Sequence, residues 1–369
     1  MIPVQRPFLG DEELAAVGKV FDSAWLGMGS TTKEFEDRIR TLVGARHVIA
    51  VNTGTSALHL ALDAIGLEPG AEVIVPSLTF AASVQAILAC GGRPVFCDVC
   101  ADTLNMDVAD AARRVTPRTR AIMPVHYGGL ACDMDAVMAL AREHHLMVVE
   151  DAAHAFGSTY KGRAIGTIGD VTCFSFDPIK NITCGEGGAV VTDNDDIARR
   201  ALPKRILGID NDTWSRYRNE RTWFYEVVTP GYRYHLSNIN AAIGLAQLDR
   251  MEAFRSFKRD VVRRYDEAFG GIGGIALVQR NLDETFPFFY VVRILNGRRD
   301  ALMTQLKGNG IGTGVHYIPN HLQPLFAKYS TALPVTERMY EEIISLPLYV
   351  GMSGADLDAV IAGVRAFFA

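Results

Sequence analysis

The residue with the clearest chemical potential is Lys180, within the stretch CFSFDPIKNITCGEGGAVVT at 173–192. The β-branched and aromatic run before it and the AVVT run after it predict two strands, so the lysine falls in the loop that joins them. A lysine held beside a buried sheet, partly removed from water, loses its proton more easily and can attack a carbonyl carbon. The alternative is an ordinary solvated loop lysine.

A carboxylate stands at the end of another predicted strand, LMVVED at 146–151. Burying Asp151 there is costly unless it meets a cation or several hydrogen-bond donors. A helix cap or a structural ion pair would satisfy it. A position at the carboxyl edge of an open α/β sheet, where ligands bind, instead favours contact with a ligand.

The stretch VNTGTSALHLAL at 51–62 predicts a strand end, a polar turn and a helix that begins near Thr55. The free N–H groups and the dipole of such a helix suit a phosphate, although Thr or Ser at a helix start also serves as a cap. Neither a G-x-G-x-x-G nor a G-x-x-x-x-G-K-[ST] motif occurs. An amine, a carboxylate and a phosphate-binding helix end are the partners that pyridoxal phosphate needs.

The elements that must position these groups alternate between short apolar strands and amphipathic helices. The predicted strands are 48–51, 72–76, 94–98, 121–125, 146–151, 171–176 and 189–192. Strands that are apolar throughout and separated by helices predict an α/β fold with a mostly parallel sheet covered on both faces. Right-handed crossovers then bring the carboxyl ends of the strands to one edge.

The pattern changes after residue 240. A long amphipathic helix is predicted over 241–269, followed by a strand over 286–295, a helix over 298–308 and a last helix from 354. We therefore expect a large domain over 1–245 and a smaller α+β domain over 246–369.

Composition excludes several classes of function. Of the 369 residues, 49% are hydrophobic and 21% charged, the net charge is -5, and no long Lys/Arg run occurs, which disfavours nucleic-acid or membrane-surface binding. No stretch is apolar enough to span a membrane, and no signal-peptide pattern opens the chain. Six cysteines in this length do not indicate a disulfide framework, and Cys97 and Cys100 have no second pair that would predict a metal site. A reduced, cytoplasmic protein is the expectation.

The chain resembles the pyridoxal-phosphate-dependent sugar aminotransferases of the DegT/StrS type, which share fold type I with aspartate aminotransferase. The likeness extends from DSAWLGMGSTTKEFE (22–36) to SLPLY (345–349). Its other segments are NTGTSALHLAL, PSLTFAAS, GGRPVFCDV, MPVHYGG, VEDAAHAFGS, SFDPIKNITCGEGGAVVT, GYRYHLSNINAAIG and HYIPNHLQP. The resemblance implies a large domain with a seven-stranded, mostly parallel sheet between helices, a smaller carboxyl-terminal domain, and a homodimer with shared active sites.

The resemblance also implies catalytic roles. Lys180 is similar to the Schiff-base lysine that also shuttles a proton. Asp151 resembles the partner of the pyridine nitrogen, and His154 the residue near the phenolic oxygen of the cofactor. Each has a structural alternative, which for His154 is a histidine satisfied in the core.

Further residues are matched to the binding of cofactor and substrate. Phe80 would stack on the cofactor ring, although a core Phe after a strand is common, and Gly54, Thr55 and Ser175 would bind phosphate. The commoner family form of GYRYH is GYNYR, so Arg233 stands where Asn is usual and His235 where Arg is usual. These two residues would contact phosphate in the neighbouring subunit, or only pack or cap the next helix. Trp25 (otherwise a core residue), His316, Tyr317 and His321 match segments that face the sugar nucleotide, with Asn320 in place of Leu.

The implied reaction transfers an amino group from an amino acid, glutamate, to a nucleotide-linked keto-deoxysugar with the keto group at C4 or C3. One alternative is a dehydratase of the same fold, whose relatives carry His in place of the lysine. Another is a non-catalytic regulatory protein, which would lack Lys180 or Asp151. Glu186 has no assigned role.

Overall fold

A large sheet and a small sheet organise the chain in the computed structural model, which describes residues 1–210 and 225–369. The strands, in chain order, are β1 (His47–Val51), β2 (Glu72–Pro76), β3 (Arg93–Cys97), β4 (Thr119–Ile122), β5 (Met147–Asp151), β6 (Thr159–Tyr160), β7 (Arg163–Ala164), β8 (Val171–Ser175), β9 (Gly188–Thr192), β10 (Ile275–Leu277), β11 (Tyr290–Ile294) and β12 (Ile343–Leu346).

The large sheet has seven strands in the order β1-β9-β8-β5-β4-β2-β3. These are the seven strands predicted from the sequence, and the prediction of a mostly parallel α/β sheet is confirmed. The exception is β9, which runs antiparallel to both β8 and β1. It reverses because the loop carrying Lys180 returns directly to the sheet without a crossover helix.

The helices are α1 (Asp11–Asp22), α2 (Ser30–Val43), α3 (Gly54–Ala64), α4 (Ala81–Ala89), α5 (Val108–Arg113), α6 (Met134–His144), α7 (Asp195–Lys204), α8 (Asn238–Phe269), α9 (Arg299–Gly308), α10 (Pro334–Glu342) and α11 (Gly354–Phe368). Helices α3, α4 and α7 on one face and α6 on the other cover the large sheet. Val73 and Val75 of β2 pack with α3, α4 and α7, whereas Ile74 between them packs with α6 on the other face. The continuous apolar strands follow from this burial on two sides.

The small sheet, β10-β11-β12, is antiparallel. It packs with α9, α11 and the last turns of α8, which supplies Val262, Tyr265 and Phe269. Earlier residues of α8, such as Met251, pack against the large-sheet side. The predicted domain boundary at 245/246 therefore falls inside one continuous helix, and it stays a prediction.

The predicted strand at 286–295 is shorter in the structure, because only Tyr290–Ile294 pairs in the sheet. In the preceding 286–289 segment, Phe286 packs instead in the core on one face of the large sheet, and Phe288 and Phe289 pack against His154. Among the described residues, no helix is both long and apolar enough to cross a membrane.

Candidate active site

Lys180 lies in the loop between β8 and β9. The loop opens with a turn in which the Lys180 N–H donates to the Asp177 carbonyl oxygen at 3.1 Å. The Lys180 ammonium lies 4.4 Å from the centre of the Phe288 ring, within the range of a cation–π contact. Burial lowers the pKa of Lys180, while the charges of Asp177 and Asp151 oppose that shift. The side chain is therefore not that of a solvated loop lysine.

The glycines after Lys180 shape the return of the loop. Gly185 has a φ of +78°, which few other residues adopt without strain. At Gly188, the first residue of β9, a Cβ atom would lie 2.4 Å from the Thr53 carbonyl oxygen. The strand passes directly beneath the start of α3 because this position has no side chain.

Asp151 ends β5, with its carboxylate buried. It accepts hydrogen bonds from the Ser83 hydroxyl at 2.6 Å and from the Ala153 N–H at 3.1 Å. It also lines the cavity that Lys180 lines. The predicted strand-end carboxylate therefore faces an open space and not a structural cation.

The start of α3 has free N–H groups of the kind that suit an anion. The Thr53 side chain caps the helix by accepting from the Ser56 N–H at 3.0 Å. The N–H groups of Gly54 and Thr55, in the first turn, have no acceptor within the helix. A Cβ atom on Gly54 would lie 2.6 Å from the Cβ of Ser175, so glycine is what lets β8 end against this helix.

A cavity of about 150 Å³ joins these groups. The sequence-predicted residues that line it are Gly54, Thr55, Phe80, Asp151, His154, Ser175 and Lys180. They come from five segments of the chain that converge at the carboxyl edge of the large sheet. Phe80 is 58% exposed and so is not the buried core phenylalanine that was its alternative.

His154 is held in an aromatic cluster at the rim of this cavity. Its Nε2 pairs with the Tyr317 hydroxyl at 2.9 Å, and its ring stacks on Phe288 with centroids 4.4 Å apart. Its Nδ1 is buried and has no hydrogen-bond partner among the described residues. Burial and the charge of Lys180 hold the pKa of His154 well below its usual value, so the ring is neutral near neutral pH.

The 316–321 segment lies between α9 and α10 in the chain. Tyr317 lies against Phe80 with ring centroids 5.6 Å apart, and burial raises the pKa of its hydroxyl. His316 stacks on Phe289 and pairs with the Ser345 hydroxyl at 2.7 Å. Burial and the Lys180 charge lower the His316 pKa to about 4.

His321, like His316 and Tyr317, is not one of the residues that line the cavity. It differs from them in that both of its ring nitrogens are paired, Nδ1 with the Ser77 hydroxyl at 2.7 Å and Nε2 with the Glu337 carboxylate at 3.3 Å. Its neighbour Asn320 donates to the carbonyl oxygens of Ser77 and Thr79 at 3.1 and 2.7 Å. These two residues fasten the segment to the turn that carries Phe80.

Trp25, Arg233 and His235 form a separate pocket of about 300 Å³ with Met28 and Ile206. The Trp25 indole N–H donates to the Met28 carbonyl oxygen at 3.0 Å. In the part of the chain that the structure describes, the buried Nδ1 of His235 has no hydrogen-bond partner. Within one chain, the structure brings these three residues together but does not bring them to Lys180.

Two contributors were missed from the sequence. Ser83 orients Asp151 from α4, and Phe288 provides the aromatic surface beneath Lys180 and His154. Only the aromatic run FPFFY was a signal for Phe288, and it was interpreted as part of a strand. Glu186, without an assigned role, lines the cavity of Lys180.

The residues present fit pyridoxal phosphate. An amine, a strand-end carboxylate, two helix N–H groups and a serine hydroxyl surround one cavity. The partnerless Nδ1 of His154 offers one more polar atom at its rim. The set matches the requirements of an aldehyde, a pyridine nitrogen and a phosphate.

Comparisons with known proteins agree on one family. The model of the DegT/DnrJ/EryC1/StrS aminotransferase family matches residues 7–365. The spore coat polysaccharide biosynthesis protein SpsC of Bacillus subtilis is 41% identical over 374 residues, which cover 99% of this chain and 96% of SpsC.

Two solved structures have the same fold. The sugar-aminotransferase candidate Spr1654 of Streptococcus pneumoniae, in its PMP form, superposes with a TM-score of 0.94 at 30% identity, covering 99% of this chain and 98% of its own. The sugar aminotransferase CalS13 of Micromonospora echinospora gives a TM-score of 0.91 at 33% identity, covering 99% and 100%.

Proposed function

The chain belongs to the DegT/DnrJ/EryC1/StrS aminotransferase family, and from that premise we propose that it transfers the amino group of glutamate to a nucleotide-linked keto-deoxysugar. Family and fold make it a sugar aminotransferase of the DegT/StrS type that uses pyridoxal phosphate. The observation that supports our residue assignment is the single cavity shared by Lys180, Asp151, Ser175 and the start of α3. The keto group at C4 or C3 is part of the proposal.

When bound, pyridoxal phosphate supplies an electron sink for the electron pair left behind when a proton leaves the substrate carbon. In our proposal Lys180 holds the cofactor and moves that proton with its Nζ atom. Burial favours the neutral amine that both tasks need. The Phe288 ring, in cation–π contact with the Lys180 ammonium, would steady the Lys180 side chain.

Asp151 would keep a proton on the pyridine nitrogen. Its carboxylate is oriented by the Ser83 hydroxyl and the Ala153 N–H, which leaves it little freedom to turn away. An ionised carboxylate here favours the protonated ring because opposite charges attract strongly where water is excluded.

The remaining contacts would fix orientation. The N–H groups of Gly54 and Thr55 and the Ser175 hydroxyl would bind the phosphate, and Phe80 would cover the ring. Neutral His154 would face the phenolic oxygen, steadied by Tyr317.

The substrate would be bound between subunits of a homodimer. Arg233, His235 and Trp25 share a pocket without Lys180 in their own chain, so we propose that they complete the cavity of the partner. His316 and Tyr317 would face the sugar nucleotide, while His321 would act only by holding their segment.

Borohydride reduction followed by peptide mass spectrometry tests the assignment. We expect a yellow protein in which reduction fixes the cofactor to the peptide that contains Lys180. A protein that cannot be loaded with pyridoxal phosphate, or that attaches it to another lysine, would contradict the proposal.

The substrate class needs a separate assay. Glutamate and a panel of dTDP-, UDP- and GDP-linked ketosugars, followed by mass spectrometry of the amino sugar, would identify the acceptor. Release of water from the sugar without transfer of nitrogen would favour the dehydratase alternative, which the presence of Lys180 disfavours. A cofactor-loaded protein that turns over no ketosugar would favour the regulatory alternative.

A further inference from the structure

A second buried lysine, Lys258, lies behind the loop of Lys180. It comes from the middle of α8 and is only 4% exposed. Its ammonium donates to the side-chain oxygen of Asn181 at 3.0 Å and to the carbonyl oxygen of Phe288 at 3.5 Å. Both acceptors belong to the surroundings of Lys180, since Asn181 follows it in the chain and the Phe288 ring lies beneath its ammonium.

The two lysines line one small cavity of about 20 Å³. Arg6 from the amino-terminal segment and Tyr349 beyond β12 also line it, and no carboxylate does. On α8 itself, the Arg255 guanidinium packs over the Phe286 ring at 5.7 Å. Within the described chain the surroundings of Lys258 are therefore neutral or basic.

A buried cation without a counter-charge costs free energy of folding. Methionine would fill the same space without that cost. Burial and the charge of Lys180 accordingly lower the pKa of Lys258 to about 7. A lysine held at this cost, in contact with the loop of the reacting amine, is better explained by an effect on that amine than by stability.

We propose that Lys258 is a positioning residue for Lys180: it anchors Asn181 and Phe288, and its positive charge disfavours a second positive charge on Lys180. The inference rests on the proposed role of Lys180 as the reacting amine. Asn181 in turn holds the 286–288 segment, because its side-chain amide donates to the Phe286 carbonyl oxygen at 3.0 Å.

The effect of the Lys258 charge on Lys180 should depend on pH. Two neighbouring amines cannot both be charged without repulsion, and the effect is reciprocal. Below about pH 7 Lys258 is charged and makes Lys180 easier to deprotonate. At higher pH Lys258 becomes neutral, and its influence on the proton of Lys180 disappears.

The test is competitive acetylation of the apoprotein between pH 6 and 10, with the reactivity of Lys180 followed by peptide mass spectrometry. Lys258→Met removes the charge and both hydrogen bonds, and Lys258→Arg keeps a cation and donors. Arg263→Met removes an exposed cation from the same helix and is the matched control.

In Lys258→Met we expect Lys180 to react roughly three- to tenfold more slowly near pH 6 to 7, corresponding to a coupling of about 0.5 to 1 pK unit. The difference should vanish near pH 9, Lys258→Arg should recover part of the reactivity, and the control should resemble wild type. A difference of the same size at every pH would indicate a purely structural role and overturn the charge coupling.

Unchanged reactivity of Lys180 in Lys258→Met would overturn the whole inference. Should that variant fail to fold, Lys258→Gln, which keeps a donor but no charge, takes its place with the same expectations. No cofactor enters these measurements, so a failure here is distinct from a failure of pyridoxal phosphate to attach to Lys180.

Discussion

Glu150 and Asp151 are neighbours at the end of β5, and alternation along the strand sends them to opposite faces of the sheet. Glu150 is fully enclosed and its carboxylate has three partners: the His126 Nε2 at 2.8 Å, the Gly169 N–H at 2.7 Å and the Thr172 hydroxyl at 2.8 Å. Asp151 has two donors and an open cavity in front of it.

The difference shows how one strand end serves both stability and chemistry. On the closed face, the carboxylate accepts from three groups of the fold and is fully buried, so no ligand can reach it. On the open face, the carboxylate is oriented but keeps capacity to accept, which is the state that a ligand-binding group needs. Burial of an acid is therefore not enough to identify a functional residue; the remaining hydrogen-bonding capacity is what separates the two.

The largest expected effect is the loss of kcat when Asp151, on the open face, is replaced. Asp151→Asn should lower kcat about 10³-fold, because an amide cannot hold a positive charge on the pyridine nitrogen. The thermal midpoint should change little, because the amide oxygen can still accept from the Ala153 N–H, while the Ser83 hydroxyl can accept from the amide NH₂ and donate to the Phe80 carbonyl oxygen at 3.3 Å. Steady-state assays and thermal unfolding measure the two effects. Full activity in this variant would remove Asp151 from the role proposed for it.

The opposite pattern is expected on the closed face. The Cys132 N–H donates to His126 Nδ1 at 3.0 Å, so Nε2 must present its hydrogen to Glu150. In Glu150→Gln an amide NH₂ would meet that N–H or displace one of the other donors. Leaving buried donors unpaired should lower the free energy of unfolding by about 3 kcal/mol. Denaturant unfolding measures the loss, and folded protein should retain near-normal kcat.

The pH dependence of that loss sharpens the comparison. Burial alone would raise the pKa of Glu150, but His126, Gly169 and Thr172 together hold it below its usual value. A carboxylate with a depressed pKa stabilises the fold above its unfolded pKa of about 4.3. This contribution is lost as pH falls through the folded value. The gap between wild type and Glu150→Gln should thus be constant from pH 6 to 8 and shrink below about pH 4.

The smallest effects come from the partners of the two carboxylates. Ser83→Ala removes one donor to Asp151 and should lower kcat about tenfold, equivalent to about 1.4 kcal/mol, with little change in stability.

Thr172→Val removes one donor to Glu150 and should lower stability by about 1 kcal/mol without changing kcat. Equal effects of both variants on kcat would mean that the two faces are not separate in function.

Most of the large sheet was predictable because its strands are short, apolar and separated by helices. All seven predicted strands occur, with ends that differ by at most a few residues, as β4 at 119–122 against 121–125 shows. The 286–295 segment was less predictable, since an aromatic run suits both a strand and a cluster of rings around a site.

The site was predictable where the chemistry is local and less so where it depends on distant partners. Seven residues predicted to bind the cofactor do line one cavity. His321 shares a motif with His316, yet Ser77 and Glu337 occupy both of its nitrogens. That outcome depends on residues 244 positions before it and 16 after it, which no local pattern reports.

By itself, the sequence determined the alternation of strands and helices, the family resemblance, and the placement of a lysine, a carboxylate and a helix start at strand ends. These follow from residue type and spacing along a few turns of chain. Only the tertiary structure decided that Asp151 faces a cavity while Glu150 is enclosed, that Trp25, Arg233 and His235 gather apart from Lys180, and that Lys258 lies behind it. Such outcomes depend on how distant segments pack, because burial and hydrogen-bonding capacity are set by contacts across the fold.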